Sequence, residues 1–251
     1  MAAPKLGAQL IVFGGRQNED LEGVMAEVAE VGFDAVEIGA TFMDNLGAEG
    51  VRACTEATGM PVCGIHAGYA NYAEPGWADR AIEFCRGIGS GYLICSGVAD
   101  RESLKGYIDS AEVLNSVGAR ARDAGLTFCY HNHAWEFEEF DGEKGIHALA
   151  AATDPELVQL NIDVYWVTIG GEDPAEFIER YHERAGYYHF KDGAPGPTFT
   201  ELGRGTVDLV AAREAALKYG AQWIVYEQDR TGLEPKQAVA ASLAYLREIG
   251  F

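Results

Sequence analysis

The feature that most constrains this chain is a rhythm repeated eight times: a short apolar run, a polar or glycine-rich loop, then an amphipathic segment. The apolar runs 6–13, 35–38, 62–66, 92–96, 127–131, 158–163, 187–190 and 223–226 are rich in β-favouring residues and read as strands. Helical patterns occupy 20–30, 48–57, 77–85, 103–124, 145–152, 174–184, 207–219 and 235–247. In the first of these, Leu21, Val24, Met25 and Val28 fall on one face. Asp173-Pro174 offers an N-cap followed by proline at the first helical position, and Gly32, Gly125 and Gly220 stand where a helix must turn back into a strand. Strict alternation implies a parallel sheet with both faces covered. At 251 residues the economical solution is an α/β fold, a single (β/α)8 TIM barrel over residues 1–251, with its active site at the C-terminal ends of the strands. A doubly wound open sheet is disfavoured because no Gly-x-Gly-x-x-Gly follows the first strand; Val12-Phe13-Gly14-Gly15-Arg16 is only a glycine turn.

Charge and cysteine usage narrow the function classes. A formal net charge of −20 argues against a nucleic-acid partner, whose backbone is held by Lys and Arg. A metal-dependent endonuclease on this barrel would need a basic groove and more histidines. Cysteines 54, 63, 85, 95 and 129 are odd in number and lack CxxC spacing, so neither a disulfide framework nor a zinc-thiolate site is indicated, and a reducing cytoplasm fits. The start Met1-Ala2-Ala3-Pro4-Lys5 lacks signal-peptide regions, and no stretch reaches the roughly 18 apolar residues of a membrane span.

The barrel reading predicts that polar residues collect at the strand ends, and the sequence places them there. Glu37, His66, His131 with His133, Asp163, His189 followed by Lys191 and Asp192, and Glu227 all lie at or just past the ends of apolar runs. Residues two apart share a face of a strand, so Cys129, His131 and His133 point together while Phe128 and Tyr130 point away. The competing reading is a pair of structural histidines bonded to loop carbonyls. Carboxylates so close behind apolar runs need pairing or ligation. Nitrogen and carboxylate donors without thiolate favour a divalent metal, Mn²⁺ first, with Co²⁺, Mg²⁺ or Zn²⁺ as alternatives.

The strings His131-Asn132-His133-x-x-Glu136-Phe137, Asp163-Val164-Tyr165-Trp166, Gly171-x-Asp173-Pro174, His189-Phe190-Lys191-Asp192, Gly203-x-Gly205 and Tyr226-Glu227 resemble the xylose-isomerase-like TIM-barrel superfamily, which includes sugar phosphate isomerases, ketose 3-epimerases and inosose dehydratases. The likeness spans all eight units. It implies a divalent metal held by one residue from each of strands five to eight, here Asp163, His189 and Glu227 with either His131 or Glu136. Many epimerases of the superfamily place a Glu where this chain has His131, so strand five is a departure from the pattern.

Such a site polarises a sugar carbonyl and acidifies its α-hydrogen, which a nearby base removes to give a metal-bound enediolate. The resemblance implies an isomerase or epimerase of a keto-sugar, with Glu227 as one proton-transferring group and His131 or His133 as the other. The alternative is a lyase or dehydratase that expels a β-substituent from a keto-sugar, keto-glycoside or keto-inositol. By analogy of position, Lys191 neutralises oxyanion charge, the competing reading being a surface lysine paired with Asp192. Trp135 and Trp166 stack on the sugar, His66 and Glu136 contact it, and Glu201 and Arg204 line the mouth or pair with each other. His147 and His182, on helical segments, are expected to face solvent. No phosphate-binding loop follows strands seven and eight, so the expected partner is a non-phosphorylated sugar or polyol. A non-catalytic sugar-binding barrel could dispense with these charged residues. A homo-oligomer is a fold-level expectation.

Overall fold

The computed structural model describes residues 3–196 and 198–251. Met1 and Ala2, part of the start read for a signal sequence, lie outside them. The barrel strands are β1 (Lys5–Gln9), β2 (Ala35–Gly39), β3 (Val62–Gly68), β4 (Tyr92–Ser96), β5 (Thr127–His131), β6 (Gln159–Asp163), β7 (Ala185–Phe190) and β8 (Trp223–Tyr226). All pair in parallel, and β1 closes the ring by pairing with both β2 and β8. The covering helices are α1 (Leu21–Val31), α2 (Gly47–Thr58), α3 (Trp77–Ile88), α4 (Leu104–Asp123), α5 (Gly145–Ala152), α6 (Pro174–Tyr181), α7 (Leu209–Lys218) and α8 (Pro235–Glu248). Among the described residues no helix is long and apolar enough to cross a membrane.

The ends of these elements follow from their sequence. Asp20, Ser103, Asp173 and Asp208 each accept a hydrogen bond from a backbone N–H in the first turn of the helix that follows. Gly32 and Gly125 adopt φ of 104° and 80°, a region that side chains with a Cβ enter at a cost, and so turn α1 and α4 back towards the sheet. Two elements stop well short of the ends read in the sequence. The first strand stops at Gln9, because the Gln9 side chain accepts from the Ile11 N–H and opens a 3-10 turn over Leu10–Phe13. The 174–184 helix breaks at Tyr181 into a 3-10 turn over His182–Arg184. There the buried Arg184 guanidinium donates to the Ala150 carbonyl (2.7 Å), the Thr153 hydroxyl (2.8 Å) and the Val158 carbonyl.

Two layers of packing set the floor of the site. Outward strand residues and the helices form the large core. Inside the barrel, Ala35, Cys63, Ile94, Cys129, Tyr187 and Val225 form a separate cluster. Because strand side chains alternate, the residues two positions further along four of these strands share that inward face. They are Glu37, His131, His189 and Glu227, and all are buried. The apolar plug therefore supports a polar layer directly above it.

Arg184 joins α5, the approach to β6 and the start of β7, so its loss should leave several buried carbonyls without donors. Arg184→Met is expected to cost about 2–4 kcal/mol of unfolding free energy, measured by urea denaturation, with the barrel's circular dichroism retained.

Candidate active site

Strand β5 delivers His131 to the barrel axis, and Asn132 then stitches the strand ends together. The Asn132 amide donates to the Asp163 carbonyl (3.3 Å) and its side-chain oxygen accepts from the Asp163 N–H (3.0 Å). This pins the end of β5 against the end of β6. His133 lies past the ladder, yet its ring centroid is 4.8 Å from that of His131, so the two imidazoles meet as the alternation predicts. The His133 ring stacks on Trp135 at 4.0 Å.

His131, Asp163, His189 and Glu227 each offer one ligand atom, and these atoms all lie within 4.8 Å of one another in a buried space. Both ring nitrogens of His131, Oδ2 of Asp163, Nδ1 of His189 and Oε2 of Glu227 are buried without a hydrogen bond. Protein interiors leave few polar atoms in that condition. The His189 and Glu227 atoms form a close ion pair that lacks hydrogen-bond alignment, as expected of two donors converging on a third point. Two imidazoles and two carboxylates fit a divalent cation by their chemistry. Of the two strand-five alternatives, His131 joins this group. Glu136 turns away and accepts from the Tyr130 hydroxyl (2.8 Å) and the His133 N–H (2.8 Å). Tyr130 is on the outward face of β5, so Glu136 braces the loop from behind.

The electrostatics separate the carboxylates. Burial pushes Asp163 up to about 7. Burial would push Glu227 up as well, but Lys191 and His189 hold it well below the usual carboxylate range. Burial alone would lower His189, whereas Glu37 and Glu227 raise it to about 10. At His131 and His133 burial outweighs the pull of Glu227 and drives both down, His133 to about 3. The strand-five imidazoles are therefore uncharged at neutral pH, the form in which imidazole ligates or shares a hydrogen bond.

Around this centre the structure sorts the remaining residues. Lys191 is fully buried, 3.2 Å from Glu227 Oε1 and paired with Asp229, so it is not a surface lysine bound to Asp192. Asp192 instead gathers the backbone N–H groups of Gly193, Gly203, Gly205 and Val207 and shapes the loop after β7. The Lys191 ammonium lies over Trp166 (4.8 Å) and Phe199 (4.7 Å), which with Trp135 form an aromatic rim. His66 lines a cavity of about 270 Å³ with Gly39, Thr41, Asp44, Asn71 and Trp77. Glu201 accepts from the Thr231 hydroxyl (3.0 Å) while Arg204 is exposed on its turn, so the side-chain pairing weighed for these two is not made. His147 is not solvent-facing as expected; it bonds Tyr181 (2.7 Å) and Glu172 (2.9 Å) on the barrel exterior. His182 stacks on Tyr219 at 4.2 Å. Asn132 and Asp229 carried no role in the sequence reading. Asp229 follows Glu227 at the two-residue spacing that marks a shared face, and that signal was available.

A model of the family described as xylose isomerase-like TIM barrel matches residues 25–249. The chain belongs to that family. Inosose dehydratase of Lacticaseibacillus casei is 30% identical over 154 residues, covering 53% of this chain and 51% of the relative, so the chain spans about half of that protein's length. Inosose dehydratase of Geobacillus kaustophilus is 26% identical over 207 residues, 70% of this chain and 66% of the relative. Among solved structures, a sugar phosphate isomerase/epimerase from Parabacteroides distasonis has a TM-score of 0.82 at 22% identity, covering 98% of this chain and 94% of that one. The 3-keto-D-glucoside 4-epimerase from E. coli has a TM-score of 0.75 at 22% identity, covering 98% and 100%. At such identities these two show the fold of the xylose isomerase-like family and no more.

If Glu136 braces the loop and His131 ligates, Glu136→Gln should leave the bound-metal content unchanged. His131→Ala should lower it by at least about tenfold, in keeping with loss of one of four donors. Inductively coupled plasma mass spectrometry of the two purified variants reads both outcomes.

Proposed function

We propose that the chain is a divalent-metal-dependent enzyme that removes a proton α to the carbonyl of a non-phosphorylated keto-sugar, keto-glycoside or keto-inositol, and that the step it completes is elimination of a β-substituent. The observation that carries this reading is the end of strand five. A proton-returning reaction that inverts a carbon needs a base on each face of the substrate. The chain has Glu227 as an ionised carboxylate for this purpose; at the end of strand five, His131 would be taken up by the ion, burial leaves His133 a weak base, and Glu136 is turned outward. The relatives named inosose dehydratases support the same direction.

The residues that would hold the ion are His131, Asp163, His189 and Glu227. When bound, a divalent ion supplies Lewis-acid polarisation of the substrate carbonyl. Glu227 is ionised, buried and at the centre of the site; it takes the α-proton and returns it to the departing β-oxygen, which leaves as water or as the aglycone alcohol. Lys191, held charged by Glu227, Asp163 and Asp229 against the cost of its burial, stabilises negative charge that develops on the substrate oxygen. His133, stacked on Trp135, presents its ring to a substrate oxygen and donates a hydrogen bond. Trp135, Trp166 and Phe199 cover the apolar face of the sugar and exclude water.

Isomerisation or epimerisation is the second reading. It is favoured by the contact of His131 with His133 at the face of the quartet, where an imidazole pair could pass a proton. Proton NMR in D₂O separates the two. With a keto-inositol or a 3-keto-glucoside and Mn²⁺, elimination predicts loss of an α-hydrogen signal together with release of water or the aglycone, and both stop when the ion is chelated. A new diastereomer without release would place the chain with the epimerases. Absence of solvent exchange with any keto-sugar would contradict both readings. Lys191→Met is expected to lower kcat by about 10²-fold or more with little change in KM, measured by the same assay.

A further inference from the structure

We propose that Glu37, on a strand that contributes no member of the quartet, is a positioning residue that fixes the His189 ring with Nδ1 facing the ion and ties the rim residue His66 to the same carboxylate. The proposal rests on the reading of the quartet as a metal site. Glu37 stands in the apolar strand Ala35–Gly39 at zero exposure, where an acid is costly unless fully partnered. Its partners are three donors. Oε2 accepts from the Tyr187 hydroxyl (2.7 Å) and lies 2.8 Å from His189 Nε2. Oε1 lies 3.3 Å from His66 Nδ1.

An ionised carboxylate only accepts, so it requires hydrogen on His189 Nε2. The other ring nitrogen, Nδ1, faces Glu227 with no aligned hydrogen bond. Carboxylate on one side and ligand space on the other is the arrangement that fixes the tautomer and ring orientation of a metal-binding histidine. A flip of the ring about χ2 would put carbon where nitrogen must be, and Glu37 opposes that flip. The same logic applies at the rim. With Nδ1 of His66 donating to Glu37, its Nε2 is left to accept from a substrate hydroxyl. Tyr187 belongs to the apolar plug beneath the site and also contacts Cys63 Sγ (3.2 Å), so the carboxylate is anchored from the barrel interior and not from the loops.

The test is Mn²⁺ affinity, read by competition with a metallochromic chelator, for the whole chain and for Glu37→Leu, Glu37→Gln, Tyr187→Phe and Asp163→Asn. Glu37→Leu should weaken binding by about 10- to 100-fold. Glu37→Gln, whose amide oxygen can still accept from Nε2–H, should lose less. Tyr187→Phe, which keeps the carboxylate but removes the hydroxyl that anchors it, should weaken binding less than Glu37→Leu does. In the Zn²⁺-loaded parent, ¹⁵N NMR should show a slowly exchanging N–H at His189 Nε2, a signature a purely structural Glu37 would not require. Parent-like affinity in folded Glu37→Leu while Asp163→Asn loses the ion would overturn the proposal and leave the metal site standing. Parent-like affinity in Asp163→Asn would overturn the metal site and the proposal together. Should Glu37→Leu fail to fold, the Glu37→Gln affinity and the His189 signal decide: parent-like affinity with no Nε2–H resonance overturns it.

Discussion

Four donor atoms, from His131, Asp163, His189 and Glu227, face one another in a space closed to solvent, and the remaining features of the site follow from what that requires. Two carboxylates in a protein interior repel each other and lack water. The protein answers with Lys191 and the His189–Glu37 pair, which draw Glu227 down while burial drives Asp163 up. A divalent ion among the four donors would satisfy the atoms that protein partners leave bare, and the stability lost to the cluster would be recovered on binding.

The barrel makes this cluster affordable. Parallel strands with a two-residue side-chain period put Glu37, His131, His189 and Glu227 one layer above Ala35, Cys129, Tyr187 and Val225. The polar layer therefore rests on packed side chains that cannot relax towards it. Asn132 then fixes the spacing of the β5 and β6 ends through both backbone groups of Asp163. The loops bring what the strands cannot: an aromatic rim from Trp135, Trp166 and Phe199, and an ammonium held over it. The cavity beside His66 extends this upper tier between the ends of β2 and β3.

The barrel was legible because each strand is a short apolar run with polar residues gathered at or just past most of the strand ends, and four of the covering helices open on a side-chain cap, so local pattern and global topology agree. Three of the four were legible for the same reason: Asp163 and Glu227 directly follow apolar strand residues and His189 stands one residue before the end of its strand, while His131 was one of two alternatives on strand five. What sequence could not supply was direction beyond the ladder. Glu136 and His133 lie in a loop after β5, and only the fold decides that Glu136 swings outward to Tyr130 while His133 stays at the centre. Glu37 was visible as a charge in an apolar strand, but its three partners come from strands 29 to 152 residues away in sequence, a relation no local pattern contains. The short helices over Thr41–Asn45, Tyr69–Ala73 and Val164–Ile169 escaped notice because five or six residues do not establish a period.

The proposed chemistry requires one divalent ion among these four side chains. Anomalous diffraction at the manganese edge from a crystal soaked in Mn²⁺ tests it most directly. A single strong peak per chain, within about 2.5 Å of donor atoms from His131, Asp163, His189 and Glu227, is the predicted result. A peak held by Glu136 in place of His131, or no peak in this space at saturating Mn²⁺, would contradict it.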